Sequence, residues 1–333
     1  MFKKTLITSL LLASTISIAN AAEERSYILS TASTGGTYYP VGVALATLSK
    51  IKLEPKHHFS LAAISSAGSS ENVKLLNDNE AQFAILQGLY GAWAWQGEGP
   101  FKTTGPQTKL RSVSMLWQNV EHFIIRSELA KTGTVADLNQ LSGKKFSIGK
   151  KNSGTEGSGR QIMSSLNIDP ETFNLAYLGY GGSANALQNG SIDGMNIPAG
   201  MPVSAVTRAF AVLDKDIQIL NVTDKQFEQV NQKFDLWSKV VIPANTYPGQ
   251  DKAVNTIAQP NFLAVREDIS ENDVYLLTKT IYENLAFLNG IHKSTKAMAI
   301  EKAITGLPLP LHPGAARYYK EVGITIPAKL IAQ

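Results

Sequence analysis

Residues 34–39 read Thr34-Gly35-Gly36-Thr37-Tyr38-Tyr39, and residues 152–156 read Asn152-Ser153-Gly154-Thr155-Glu156. Each loop follows a short apolar run typical of a strand, at residues 27–30 before the first and 145–149 before the second. Each precedes a stretch with helical spacing of apolar residues. A strand, a Gly/Ser/Thr loop and a helix in this order present backbone N–H groups at a helix N-terminus, which bind anions. With no evident catalytic residues between them, the two loops predict two lobes that hold one small anion.

Helical and strand patterns alternate along the rest of the chain, which favours an α/β architecture. The apolar spacing predicts a helix over residues 41–53 and strands over residues 59–64 and 83–87. A single long helix is expected over residues 272–288, because apolar residues recur there on one helical face.

A chain of this length usually divides into two domains. We expect the chain to cross between lobes near residues 116–120 and again near 237–241. Lobe I is therefore predicted to comprise residues 22–117 and 240–333, and lobe II residues 118–239.

The N-terminus is typical of a secretory signal peptide over residues 1–21. Lys3 and Lys4 precede an apolar run over residues 6–18, and Ala19-Asn20-Ala21 follows as a cleavage site. The alternative is an uncleaved anchor helix, for which the run is short. Since no cysteine lies beside this segment, a lipoprotein anchor is excluded. The sequence predicts a periplasmic protein.

Composition excludes several classes of function. The 333-residue chain contains no cysteine and carries a formal net charge of +4. Disulfides, thiol catalysis and thiolate metal sites are therefore ruled out. Cleavage of the signal peptide would lower the net charge to +2, and no dense run of Lys or Arg occurs, so nucleic acid is not an expected partner.

Small and hydroxylic residues at the carboxyl ends of the predicted strands are the candidate ligand contacts, because open α/β folds bind ligands at that edge. Gln87 ends an apolar strand, where an amide needs a polar partner, and Tyr90 is expected in the following loop. Each candidate has a structural alternative: a tight turn for the glycines, helix capping for the serines and a rigid turn at residues 198–200. The candidates are Gly36, Thr37, Tyr38, Ser66, Ser69, Gln87, Ser153, Gly154, Thr155 and Pro198.

Metal, cofactor and catalytic chemistry have no support in the sequence. His57 and His58 are adjacent, and His122, His292 and His312 lie far apart without a partner three or four residues away. A Gly-x-Ser-x-Gly nucleophile motif does not occur. We predict no metal, no cofactor and no catalytic residue, and hence a protein that is not an enzyme.

Further motifs follow one another in order between about residue 26 and residue 323. Together they resemble the TAXI family of extracytoplasmic solute receptors, the binding subunits associated with TRAP transporters. The motifs that carry this resemblance include Thr34-Gly35-Gly36-Thr37-Tyr38-Tyr39-Pro40-Val41-Gly42, Gly68-Ser69-Ser70-Glu71-Asn72, Asn152-Ser153-Gly154-Thr155-Glu156, Ala199-Gly200-Met201-Pro202, Tyr247-Pro248-Gly249-Gln250-Asp251 and His312-Pro313-Gly314-Ala315-Ala316-Arg317-Tyr318-Tyr319.

The resemblance implies a type II periplasmic-binding-protein fold, with two α/β lobes and a hinge around a central ligand cleft. It implies a receptor that delivers its ligand to a TRAP permease in the membrane, and a monomer is the expected state of such a diffusing receptor. Family members are associated with glutamate, glutamine and dicarboxylates such as 2-oxoglutarate. By motif, the implied ligand contacts are Thr37, Tyr38, Ser66, Ser69, Gln87, Ser153, Gly154 and Thr155.

One position departs from the family pattern. Where many relatives carry an acidic residue shortly after the third strand, this chain reads Gly88-Leu89-Tyr90. If that acid contacts an amino group in relatives, its absence weakens the case for an amino acid against a plain dicarboxylate.

Two other functions remain open at this point. A protein of the same fold can present its ligand to a membrane sensor kinase. An exported hydrolase or transferase on a similar scaffold would need a nucleophile and a base, and the sequence shows no such pair.

Overall fold

A computed structural model describes residues 24–232 and 234–332. The predicted signal peptide, residues 1–21, lies outside the described residues. The strands are, in chain order, β1 (Arg25–Ser30), β2 (Phe59–Ile64), β3 (Phe83–Gln87), β4 (Leu110–Val120), β5 (Phe123–Arg126), β6 (Lys145–Ser147), β7 (Asn174–Ala176), β8 (Gly194–Asn196), β9 (Ile217–Ile219), β10 (Ser238–Ile242) and β11 (Val254–Arg266).

The α-helices are α1 (Tyr38–Lys52), α2 (Glu54–His57), α3 (Ser69–Asn77), α4 (Gly88–Gln96), α5 (Gly154–Ser165), α6 (Tyr180–Gln188), α7 (Ser204–Leu213), α8 (Asp224–Asn231), α9 (Glu271–Glu283), α10 (Leu285–Ile291) and α11 (Pro313–Glu321). Short 3-10 helices occur in several connections, one of them over Val135–Leu141. The strands and helices alternate as expected, which confirms the predicted α/β class.

The strands form two mixed sheets. In the first sheet the order is β10-β11-β3-β1-β2, and β4 also pairs with β11. In the second sheet the order is β7-β6-β8-β5-β9. β1 runs parallel to β2 and β3, and β6 runs parallel to β7 and β8, whereas β11 and β5 are antiparallel to their neighbours. Each sheet therefore has a parallel core, whose strands end at the same edge.

The chain passes from the first sheet to the second between β4 and β5, at Glu121 and His122, and returns between β9 and β10. We call the parts built on the first and second sheets lobe I and lobe II. The exact lobe boundaries, residues 22–117 with 240–333 and residues 118–239, stay a prediction.

β3 shows why the strand predictions were accurate in lobe I. All five of its residues are buried, and β11 and β1 flank it on either side. A strand covered on both faces reads as a continuous apolar run. The run Phe83-Ala84-Ile85-Leu86 therefore marks the strand directly, and it places the amide of Gln87 at the carboxyl edge.

Two helices differ from the sequence predictions. The expected helix over residues 272–288 is divided at Asn284, which leaves the helical conformation (φ −128°, ψ 30°) between α9 and α10. Tyr90 lies in α4 and not in a loop. Six of the nine α4 residues are buried, so this helix lacks the polar face that makes helical periodicity visible in a sequence.

Within residues 24–232 and 234–332, none of the helices has both the length and the apolar character needed to cross a bilayer.

Asn72 ties together the segments that carry the carboxyl edge of lobe I. Its Nδ2 donates to the carbonyl oxygens of Thr31 (2.7 Å) and Ile85 (2.9 Å). Its Oδ1 lies 2.6 Å from the Ser66 hydroxyl. The side chain is fully buried, so these bonds fix the ends of β1 and β3 and the loop after β2 relative to one another.

We expect Asn72→Ala to lower the free energy of unfolding by about 2–3 kcal/mol, because it removes the buried hydrogen bonds that the Asn72 amide makes to the Thr31 and Ile85 carbonyl oxygens. Asn77→Ala is the matched control on the same helix, since Asn77 is exposed and its amide bonds only to Gln107. The control should change stability by less than about 0.5 kcal/mol. Urea denaturation of both variants checks this, and equal losses would contradict the assigned role of Asn72.

Candidate functional site

Four helix N-termini meet at one cavity between the lobes. The residues that precede or cap α1, α3, α5 and α6 are Thr37, Gly68, Ser153 and Gly179, and all four line the cavity. α1 and α3 belong to lobe I, and α5 and α6 to lobe II. The first turn of a helix leaves backbone N–H groups without intrahelical partners, and the helix dipole adds positive potential there. The helix N-termini therefore add positive potential at the cavity.

The cavity is small. The space open to the centre of a water molecule is about 30 Å³, where a single water needs roughly 10–15 Å³. Of the described residues that line it, only Lys150 carries a formal charge. The lining comprises Ala32, Ser33, Gly36, Thr37, Tyr38, Ala67, Gly68, Ser69, Gln87, Asn119, Lys150, Ser153, Gly154, Thr155, Gly179, Tyr180, Pro198 and Ala199.

The structure brings nine of the ten predicted contacts to this cavity. They are Gly36, Thr37, Tyr38, Ser69, Gln87, Ser153, Gly154, Thr155 and Pro198. Their part in ligand binding stays a prediction.

Ser66 is the predicted contact that does not line the cavity. Its hydroxyl lies 3.0 Å from the Thr31 carbonyl oxygen and 2.6 Å from Asn72 Oδ1, and it accepts a hydrogen bond from the Gly68 N–H. All these hydrogen bonds of the Ser66 hydroxyl are made within lobe I, so Ser66 shapes the loop after β2.

Sequence reasoning missed several lining residues, above all Asn119 and Tyr180. The run Gly179-Tyr180-Gly181-Gly182 after β7 repeats the pattern of a strand, a Gly-rich loop and a helix, and could have signalled Tyr180. Asn119 has no such signal, because it lies inside β4 and reaches the cavity only through the way the sheet is assembled.

Hydrogen bonds between the lobes close the cavity. Thr37 Oγ1 donates to the Gly200 carbonyl oxygen at 3.1 Å, and Tyr90 Oη donates to the Ser153 carbonyl oxygen at 3.0 Å. The Glu71 N–H donates to the Asn152 carbonyl oxygen at 3.2 Å. In each case a carbonyl of lobe II accepts from lobe I, so the lobes are held through main-chain acceptors.

Two glycines of α5 permit this close approach. A Cβ on Gly154 would lie 2.7 Å from the Gln87 amide carbon and 2.9 Å from Ser69 Oγ. A Cβ on Gly157 would lie only 2.1 Å from Tyr90 Oη. A side chain at either position would force the facing side chains of lobe I to shift, so the two glycines allow the close approach of the closed arrangement.

Tyr180 joins two walls of the cavity. Its hydroxyl lies 2.9 Å from Thr155 Oγ1 and donates to the Pro198 carbonyl oxygen at 2.5 Å. Burial raises the pKa of the Tyr180 hydroxyl well above its usual value. The group is therefore a neutral hydroxyl that donates to Pro198 and accepts from Thr155, and so holds both in place.

Amide groups at the floor of the cavity lack partners. Asn119 is fully buried, and neither its Nδ2 nor its Oδ1 makes a hydrogen bond within the described part of the chain. Gln87 Oε1 is likewise buried and without a partner there. Buried amides are almost always paired in folded proteins, so these two side chains, which we call the amide floor, stand out in the lining.

Glu121, at the first crossing between sheets, is also fully buried. Burial raises the pKa of its carboxyl to about 7, and the neighbouring Asn196 and Ser158 side chains offset this only in part. No cation pairs with this carboxyl among the described residues.

His122 follows directly and is held in its neutral form. Its Nδ1 lies 2.9 Å from the Val120 carbonyl oxygen and 3.0 Å from that of Ile197, so Nδ1 carries the hydrogen. Its Nε2 accepts from the Tyr247 hydroxyl at 2.8 Å. Burial lowers the His122 pKa to about 4. The imidazole is thus a structural link between the crossing and the β8 end.

Within the described ranges, 24–232 and 234–332, no three His, Cys, Asp or Glu side chains come together as metal ligands would.

Comparison with known proteins adds the family and the fold. The sequence profile of the NMT1-like family matches residues 29–323. Among solved structures, the chain is similar to MatC from Rhodopseudomonas palustris with bound malate, with a TM-score of 0.56 at 12% identity over 90% of this chain and 99% of that chain.

It is also similar to the periplasmic binding protein BugD, with a TM-score of 0.53 at 12% identity over 90% of this chain and 95% of that chain. For a Bordetella bronchiseptica RB50 protein the TM-score is 0.50 at 15% identity, over 91% of this chain and 90% of that chain. At these identities the likeness shows the fold alone, which is the two-lobe α/β fold of binding proteins.

Glu121→Gln should change how stability depends on pH. Between pH 4.5 and about 7 the unfolded chain ionises this carboxyl while the folded protein keeps it protonated, so the wild type loses stability as the pH rises. The amide variant escapes that loss. Its advantage over the wild type should grow by on the order of 3 kcal/mol across this range and level off above pH 8.

Denaturant unfolding of both proteins from pH 4.5 to pH 9 measures the difference. Glu128→Gln is the control, because Glu128 is exposed. Parallel stability curves for Glu121→Gln and the wild type would contradict the assignment of a buried, unpaired acid.

Proposed function

Because this chain belongs to the NMT1-like family, a family of periplasmic solute-binding proteins, we propose that it is a receptor that captures a small carboxylate between its two lobes. The observation that carries this proposal is the meeting of four helix N-termini at one cavity, two from each lobe. Oriented N–H groups from both sides suit an anion that must be enclosed and later released.

The proposed mechanism is capture by closure. Backbone N–H groups and the Ser69 hydroxyl hydrogen-bond the carboxylate, and Lys150 adds one positive charge. A ligand that touches both lobes binds the closed form better than the open form, so it shifts the population toward closure. No step of this mechanism alters the solute.

Delivery to a membrane transporter completes the proposal. The ordered motifs that resemble the TAXI family support a TRAP permease as the partner and glutamate, glutamine or 2-oxoglutarate as the solute. MatC, the similar structure described above, holds malate, which also favours a small carboxylate. The basic, apolar and small residues of 1–21 support export to the periplasm, where we propose a monomeric receptor.

A thermal-shift screen of the mature, ligand-stripped protein tests this function. Glutamate, glutamine, 2-oxoglutarate and malate are compared with glucose and ribose at the same concentration. A true ligand at a hundredfold excess over its Kd should stabilise the protein by about 2.7 kcal/mol. No shift with any carboxylate, or equal shifts with the sugars, would overturn the proposal.

Gly157→Ala should weaken ligand binding without touching the cavity. Gly157 does not line the cavity, but its new methyl group would meet the Tyr90 hydroxyl and hold the lobes apart. We expect the affinity to fall at least about tenfold, because the binding-competent closed form is depleted. Alanine also favours α5 over glycine, so reduced folding would not explain the loss.

Gly290→Ala is the matched control, since a Cβ there meets nothing within 4 Å. Calorimetry gives the affinities, and small-angle scattering gives the radius of gyration with and without ligand. Ligand-induced compaction in the wild type and the control, but not in Gly157→Ala, is expected. Unchanged affinity in Gly157→Ala would argue against closure as the basis of binding.

A further inference from the structure

The amide floor, formed by Asn119 and Gln87, has buried polar atoms that make no hydrogen bond with other described residues. Asn119 lies near the end of β4, paired in register with Gln259 on β11. Gln259 Oε1 accepts from the Leu89 N–H at 2.9 Å, Gln259 Nε2 is itself without a partner, and within the described residues no hydrogen bond joins Gln259 to Asn119. Both polar atoms of the Asn119 amide are buried without a partner in the described part of the chain, and Asn119 is one of the residues that line the cavity.

A free amide of this kind presents one donor group and one acceptor side by side. Nδ2 donates, and Oδ1 accepts. Gln87 Oε1 adds a second unpartnered acceptor, on another residue that lines the cavity. Leaving such groups unpaired after water has been expelled is costly. We therefore expect the enclosed solute to hydrogen-bond both the amide donor and the amide acceptors.

We propose that the solute carries a hydrogen-bond donor beside its carboxylate, in the form of an amino, hydroxyl or carboxamide group, and that Asn119 selects for it. The inference rests on the proposed receptor function and narrows its ligand class. A carboxylate next to an amino or hydroxyl group meets Nδ2 with an oxygen and Oδ1 with a proton. A carboxamide does the same through two parallel hydrogen bonds.

Carboxylates without a hydrogen-bond donor are excluded from the proposed ligand class because they cannot pair with Asn119 Oδ1. A plain dicarboxylate or a 2-oxo acid has only acceptors, so it pairs with Nδ2 and leaves Asn119 Oδ1 facing another oxygen. Sites built to hydrogen-bond a donor reject analogues that lack it far more strongly than apolar pockets reject a change of size. This ligand class reverses the preference for a plain dicarboxylate that the sequence Gly88-Leu89-Tyr90 suggested.

Four five-carbon solutes that differ only at C2 provide the test. Glutarate has no group there, 2-oxoglutarate has an acceptor, and 2-hydroxyglutarate and glutamate have donors. For the wild type we expect at least one of the two donor-bearing solutes to bind at least about tenfold more tightly than both of the others. Succinate, oxaloacetate, malate and aspartate repeat the comparison for a four-carbon solute.

Asn119→Leu keeps the size of the side chain and removes both hydrogen-bonding groups. It should reduce the preference to less than about threefold, whereas Asn139→Leu, at an exposed position, should retain it. If Asn119→Leu does not fold, the wild-type comparison still decides whether the solute carries a donor, and Asn119→Asp, which removes only the Nδ2 donor, tests the role of Asn119.

The outcomes separate the two proposals. Equal binding of donor-bearing and donor-free solutes by the wild type would overturn the inference and leave the carboxylate receptor intact. An unchanged preference in Asn119→Leu would remove Asn119 as the selecting residue. Failure of all eight solutes to bind would count against the proposed function itself, and the inference would fall with it.

Discussion

The meeting of four helix N-termini at one cavity is the constraint on which the rest of the structure depends. Each of these helices follows a parallel strand: α1 follows β1, α3 follows β2 past a loop, α5 follows β6 and α6 follows β7. Parallel strands end at one edge, so the helices that follow them begin at that edge. Facing the two edges toward each other concentrates positive potential in one place. The arrangement of strands and helices that defines the fold therefore also forms the site.

The sequence predicted the parts of this arrangement that are local. Thr34–Tyr39 and Asn152–Glu156 mark helix starts because Gly, Ser and Thr have local roles in turns and caps. Ser66 and Ser69, which follow β2, were not separable by composition, and only Ser69 lines the cavity. Asn119 was beyond prediction, because a strand interior gains its surroundings from β11 pairing and from the opposing lobe. α4 was missed for the related reason that burial on all sides erases helical periodicity.

Hydrogen bonds to β11 hold the crossing between the two sheets in place. The Glu121 N–H donates to the Ile257 carbonyl oxygen at 2.9 Å, and Thr256 Oγ1 donates to the Glu121 carbonyl oxygen at 2.9 Å. These bonds tie the outgoing strand to β11, so the crossing consists of paired strands. Burial favours the neutral forms of Glu121 and His122, which lets titratable side chains occupy a position where a charge would be costly.

The division of labour between main chain and side chains has an evolutionary consequence. A substitution cannot remove a backbone N–H unless it introduces proline. The ability to bind an anion therefore survives most changes of side chain in the loops that provide these N–H groups. Asn119 and Gln87, in contrast, contribute through their side chains, and a single mutation can replace either of them. A lineage built on this plan is therefore free to change which solute it carries while it inherits, almost unaltered, the means of holding the negative charge.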